Sequence, residues 1–144
     1  MKTNLHIITS PFGEANESRT FRSIQTILKH NLFEKVLVIG LKEDPDDSDE
    51  KELNSITTLH RVFRGLEVEG SSFYSKTYKT LSWSFEVFKI ASKEEVHTLN
   101  CHSLSLLPLS VALKFKMSCK LIYDIHELET EVSGIGKFRK ITTR

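Results

Sequence analysis

The sequence predicts a three-layer α/β/α domain built on a parallel sheet. Short apolar runs bounded by turn residues recur along the chain, and the stretches between them switch to helical spacing. The resulting order, β-α-β-β-α-β-α-β, is that of strands joined by helical crossovers. At 144 residues the chain is long enough for one such domain.

Residues 5–9 read as a short strand closed by Ser10, Pro11 and Gly13. Ser18 then suits an N-cap, with Phe21, Ile24 and Leu28 following at helical spacing. Residues 36–39 form a continuous branched apolar run ended by Gly40, as in a strand buried on both faces. Residues 59–63 alternate and stop near Gly65, which predicts a weaker third strand at an edge. Residues 74–95 predict a long helix, and Tyr74, Tyr78, Leu81, Phe85 and Phe88 mark the face that covers the sheet. Trp83, Val87 and Ile90 form a second apolar stripe on that helix. Together with four nearby lysines it gives residues 73–93 the makings of a peripheral membrane contact. Residues 96–99 give a fourth strand, 104–115 a helix with Pro108 near its start, and 120–123 a fifth strand. Right-handed crossovers then predict the strand order 3-2-1-4-5.

Charge is balanced overall, with 20 basic against 19 acidic side chains, so nothing points to nucleic acid. The balance hides a local excess. Residues 42–52 hold seven acids and two lysines, leaving the rest of the chain at +6. Such a run predicts a mobile acidic loop, and order there would require a buried basic partner. No apolar stretch nears the length of a membrane span, and residues 5–8 are too short for the core of an export signal. The expected compartment is therefore the cytoplasm, or the inner face of the membrane, with Cys101 and Cys119 as reduced thiols.

Several chemistries fail on spacing. Gly134 and Gly136 lack the third glycine of a dinucleotide fingerprint, His126-Glu127 lacks the second histidine of a zincin helix, and no nucleophile elbow occurs. What remains gathers at the carboxyl ends of strands, where ligands bind in parallel sheets. The first exit, through Gly13 to Ser18 and Arg19, offers backbone amides and a cation to an anion. The fourth ends in Asn100-Cys101-His102-Ser103, whose imidazole is suited to a sugar hydroxyl or a proton, or else to capping the next helix. The fifth ends in Asp124-Ile125-His126-Glu127, where a carboxylate can orient an imidazole. These histidines and acids match no known metal-ligand spacing, so no metal is expected. His6, His30 and His60 read as structural or surface residues, and His97 as a core histidine within its strand.

Residues 96–131 carry a resemblance. Val96-His97-Thr98-Leu99-Asn100-Cys101-His102, then Leu107-Pro108, then Lys120-Leu121-Ile122-Tyr123-Asp124-Ile125-His126-Glu127 with Glu131, is similar to the N-terminal half of family 4 glycosyltransferases. The resemblance implies a GT-B architecture of two Rossmann-like domains, of which residues 1–144 would be the acceptor-side one. It implies transfer from a nucleotide-sugar, with retention and without a metal or other cofactor, to a polysaccharide or glycolipid acceptor. His102 would lie by the transferred sugar and Gly13 with its neighbours by the donor diphosphate. Asp124, His126 and Glu127 would shape the acceptor side, with Ser18, Arg19, Asn100 and Ser103 nearby. Two departures stand out: the first loop lacks the family's paired glycines, and family members run to twice this length or more, so a donor-binding domain is expected in cis or in trans. The rival expectations are a binding or scaffold module without chemistry, and a flavodoxin-like nucleotide-binding domain.

Overall fold

The computed structural model describes residues 2–12, 18–42, 44–65 and 72–124, with Ser18 described in its backbone alone. Its strands are β1 (Thr3–Ile7), β2 (Lys35–Lys42), β3 (Glu50–Glu52), β4 (Thr57–Phe63), β5 (Thr98–Cys101) and β6 (Lys120–Tyr123). Its helices are α1 (Ser18–His30), α2 (Phe73–Ala91) and α3 (Leu107–Met117), the last preceded by a 3₁₀ turn at Leu104–Leu106. The sheet order is β3-β4-β2-β1-β5-β6. All pairings are parallel except β3 with β4. The five strands expected from the sequence thus stand in the expected order, and one antiparallel strand is added at the edge.

The core lies on both faces of this sheet: β2 is apolar on both, whereas β1 turns Leu5 and Ile7 to one face and Asn4 and His6 to the other. Leu5, Ile7, Leu37, Ile39 and Leu99 pack against α2 and α3 through Trp83, Val87, Ala91 and Leu113. Val36, Val38, Ile8 and Leu59 pack against Ile24 and Ile27 of α1. Gly40 lets the chain leaving β1 run close beside β2, since a Cβ there would stand 3.3 Å from the Ser10 carbonyl. Helix ends follow local chemistry: Asn31 and Ser118 turn left-handed (φ 49° and 53°) where α1 and α3 stop.

Four expectations are corrected. The third strand is not an edge strand, because β3 covers it. The acidic run is not all loop: it closes in β3, and Lys42, only 8% exposed, donates to Asp49 at 2.7 Å. Arg61 adds bonds to Ser48 and Asp47. The buried basic partner is Lys42 itself, whose ammonium holds the Asp49 carboxyl below its usual pKa, chiefly by that hydrogen bond. A short, acidic outer strand also blunts the sheet edge against further pairing.

The third correction concerns α2. It turns Trp83, Val87 and Ala91 inward, while Tyr74, Tyr78, Leu81 and Phe85 are 59–83% exposed. Only Phe88 of the predicted covering stripe reaches the core, and only in part. Trp83 decides the rotation, because its indole N–H finds the Val62 carbonyl at 3.1 Å inside the core. His97 is likewise corrected: it lies just ahead of β5, exposed, and its Nδ1 accepts from the Thr3 N–H at 3.4 Å.

Candidate functional site

Parallel strands bring the exits of β1, β2, β4, β5 and β6 to one rim, and two features form there on opposite faces of the sheet. On the α2–α3 side lies a cavity of about 240 Å³ lined by Thr9, Leu41, Arg64, Thr80, Trp83, Ser84, Ser105 and Leu106. Four of these exits contribute: Thr9 follows β1, Leu41 lies next to the end of β2, Arg64 follows β4, and Ser105 and Leu106 follow β5. Gly65, at φ +89°, turns the chain immediately after Arg64. The lining combines apolar side chains, an indole, several hydroxyls and one guanidinium. Of the lining, the sequence reading had named Trp83, in an apolar stripe, and the end of β2, but not the hydroxyl-bearing residues, which carry no spacing signal.

On the α1 side a polar row crosses β1, β5 and β6. Register places His6 beside Asn100. Asn100 Nδ2 donates to the side-chain Oδ1 of Asn4, two positions before His6, at 2.9 Å. One step toward the rim, His6 Nδ1 and His102 Nε2 are 2.9 Å apart with the rings stacked at 13°. His102 Nδ1 then lies 3.7 Å from Asp124 Oδ2, within ion-pair range but too long for a hydrogen bond. Either ring can donate in the His6–His102 hydrogen bond, according to which of the two facing nitrogens carries the proton. His6 Nε2 is fully buried and makes no hydrogen bond among the described residues. Burial, with the neighbouring imidazole second, lowers the His6 pKa to about 3.

The structure therefore joins Asn100, His102 and Asp124, and adds His6, which the sequence reading had set aside. The signal for His6 was its place in β1, from which a parallel neighbour's exit is two residues away. His102 is turned inward, its side chain 7% exposed. Ser103 supplies the cap that had been weighed for it: its Oγ accepts from the Ser105 N–H at 3.3 Å and bonds the Ser105 hydroxyl at 2.8 Å. Arg19 stands exposed in the first turn of α1, away from the buried row. Gly13, His126 and Glu127 lie outside the described residues, as does the Ser18 side chain. Among the described residues no cluster of three or more His, Cys, Asp or Glu is placed to hold a metal. Cys101 and Cys119 are free and buried, and burial pushes the Cys119 thiol up. No described helix is long and apolar enough to cross a membrane.

No family model matches the sequence, and a search of curated proteins finds no similar sequence. Among solved structures, sucrose-phosphate synthase from Thermosynechococcus elongatus superposes on 90% of this chain with a TM-score of 0.63 and 13% sequence identity. The matched region is 34% of that enzyme, so the chain spans about a third of its length. At this identity the likeness carries the fold: a Rossmann-like half of the GT-B type.

Proposed function

We propose that this chain is the acceptor-side domain of a glycosyltransferase of the family 4 kind, the half that receives a sugar or glycolipid while a second domain holds the nucleotide-sugar. The observation that carries the reading is the rim pocket. In a GT-B half the transfer cleft opens at the carboxyl ends of the strands, and there Thr9, Thr80, Ser84 and Ser105 stand around Trp83 and Arg64. Hydroxyls satisfy sugar hydroxyls, and an aromatic face suits the C–H side of a pyranose. The Asn100–His102–Asp124 row forms the other lip. Nε2 of His102 meets His6 and its Nδ1 is buried beside Asp124, so reaching a reacting sugar would require the ring to turn toward the rim. Arg19 and Ser18, with Gly13, belong by the same reading to the donor's phosphate side.

Trp83 is the chain's single tryptophan and lines the pocket, so its fluorescence reports occupancy. Titration with glucose, N-acetylglucosamine and their phosphates should change its emission saturably for at least one sugar, and Thr80→Val/Ser84→Ala should abolish that change. Uridine diphosphate should bind only at millimolar concentration or above, on the order of 4 kcal/mol or less. A tight nucleotide or flavin complex with no sugar response would overturn the assignment.

A further inference from the structure

The amino-terminal rim of the sheet, opposite the candidate site, holds a second cavity. It measures about 280 Å³ and is lined by Lys2, Leu32, Phe33, His97, Thr98 and Lys120. Lys2 precedes β1, Leu32 and Phe33 lie in the connection from α1 to β2, His97 and Thr98 stand at the start of β5, and Lys120 opens β6. The length of β1 separates the two rims by roughly 15 Å or more, so a small ligand here does not reach the other pocket. Main-chain hydrogen bonds lace these strand starts together. The Glu34 and Lys35 N–H groups donate to the Lys2 carbonyl at 2.9 and 3.3 Å, His97 N–H to the Thr3 carbonyl at 3.0 Å, and Lys120 N–H to the His97 carbonyl at 2.9 Å. The wall therefore stands before any ligand arrives, which lowers the cost of binding one.

The polar lining favours an anion. The Thr3 N–H donates to His97 Nδ1, so the proton of the neutral ring is on Nε2 and the ring has a donor to offer. No acid is among the lining residues. The carboxylates close by are engaged: Glu34 accepts from the Lys2 main-chain N–H at 3.1 Å, and Glu94 pairs with Lys35 at 2.7 Å. Among the described residues neither Lys2 nor Lys120 forms an ion pair. The carboxyl end of α1 offers little opposition. Its last carbonyls accept from the Asn31 and Leu32 N–H groups at 3.3 and 3.2 Å, and Lys29 and His30 stand in its last turn. Opposite the cations, Leu32 and Phe33 give the cavity an apolar wall, with Leu32 about half exposed.

We propose that this cavity binds a small phosphate monoester with an apolar or ring-shaped body. Two ammonium groups and an imidazole N–H match a dianion with three terminal oxygens, and charge-assisted bonds of that kind are the strong ones. Leucine and phenylalanine cover the rest of the molecule. The cavity lies at the lower end of the range for ligand pockets, which suits a compact ester. The assignment is independent of the reading given to the opposite rim, and Trp83 does not line this cavity, so the two are tested separately.

The test is titration of the full chain, labelled with nitrogen-15, followed by amide NMR at physiological salt. The probes are phenyl phosphate, inorganic phosphate and phenol. Phenyl phosphate should shift the amides of Thr3, Phe33, Thr98 and Lys120 saturably, inorganic phosphate should bind at least about tenfold more weakly for want of the apolar contact, and phenol should not saturate. Charge-assisted contacts are worth about tenfold or more in water-exposed sites that hold them well, so Lys2→Gln/Lys120→Gln should weaken phenyl phosphate by at least that factor. Amide dispersion in the variant should stay that of the parent, which separates a lost site from a lost fold. No saturable shift at these amides, equal affinity for phenyl phosphate and either of the other probes, or an undiminished response in the variant would overturn the proposal. So would shifts centred on Thr9 and Ser105, which would give the phosphate to the other rim.

Discussion

His6 stands between Leu5 and Ile7 with no solvent exposure, and a proton on it would set a cation among apolar side chains and a second imidazole. Its pKa is therefore about 3 in the folded chain against an ordinary 6.5. Between those values the unfolded chain binds the additional proton and the folded chain does not. The stability tied to neutral His6 is complete above 6.5 and is lost on acidification, with a slope approaching about 1.4 kcal/mol per pH unit within the window. Urea unfolding near neutral pH and at about pH 5 should show a lower midpoint in acid, and His6→Asn should shrink that difference. An undiminished difference in the variant would assign the acid sensitivity elsewhere. Beyond its place in β1, the sequence near His6 gave no sign of this role. Its partner is 96 positions away, and only the parallel register of β1 with β5 brings them together. His102 and Asp124 were legible because each ends a strand, but which way each side chain turns is set by neighbours that sequence spacing does not name.

Among the elements, β2 was legible because a buried parallel strand is apolar on both faces, and such runs have few other uses; β1 and β6 showed as short apolar-rich stretches. The facing of α2 was not, because both of its sides are apolar and periodicity alone cannot rank them. The decision came from a hydrogen bond, Trp83 to the Val62 carbonyl. Trp83→Phe should therefore cost about 1–3 kcal/mol by leaving a buried acceptor unpaired, whereas Tyr78→Ser should stay within about 0.5 kcal/mol in buffer. Urea midpoints of the two variants compare the faces directly, and a larger loss from Tyr78→Ser would return the helix to the orientation its longer stripe implied. The strand β3 escaped notice because Glu-Lys-Glu has poor strand propensity. It is held by pairing with β4, next to a loop whose Asp49 meets the half-sunken Lys42. Asp49→Asn should lower the melting temperature by leaving that ammonium without its carboxylate. Asp49→Asn combined with Lys42→Met should recover it, because the lysine stem is already buried and methionine keeps the apolar contact.

At the scale of the molecule, the described residues form one α/β unit with a pocket and a polar row at one rim. Glycosyl transfer in a cleft needs two walls. The leaving diphosphate must be held opposite the acceptor hydroxyl, and orientation of both reactants supplies much of the lost barrier. By the proposed reading this unit orients only the acceptor, and it meets the diphosphate with little more than the first turn of α1. The chain by itself should therefore show no transfer from radiolabelled nucleotide-sugars to an acceptor that fills the pocket. Joined to a donor-binding domain of the GT-B type, it should turn over. Two substitutions then separate the roles at the rim. Thr80→Val/Ser84→Ala should raise the acceptor KM with little change in kcat, because those hydroxyls bind ground and transition states alike. His102→Ala should lower kcat by about 100-fold or more, within the range of a positioned proton-transfer or hydrogen-bonding group, while near-neutral unfolding changes less than in His6→Asn. His6→Asn, which leaves Asp124 beside His102 but alters its Nε2 partner, should shift the pH profile of kcat. A pH profile unmoved by it, or robust transfer by the chain without a second domain, would remove His102 from the chemistry and the acceptor-side assignment with it.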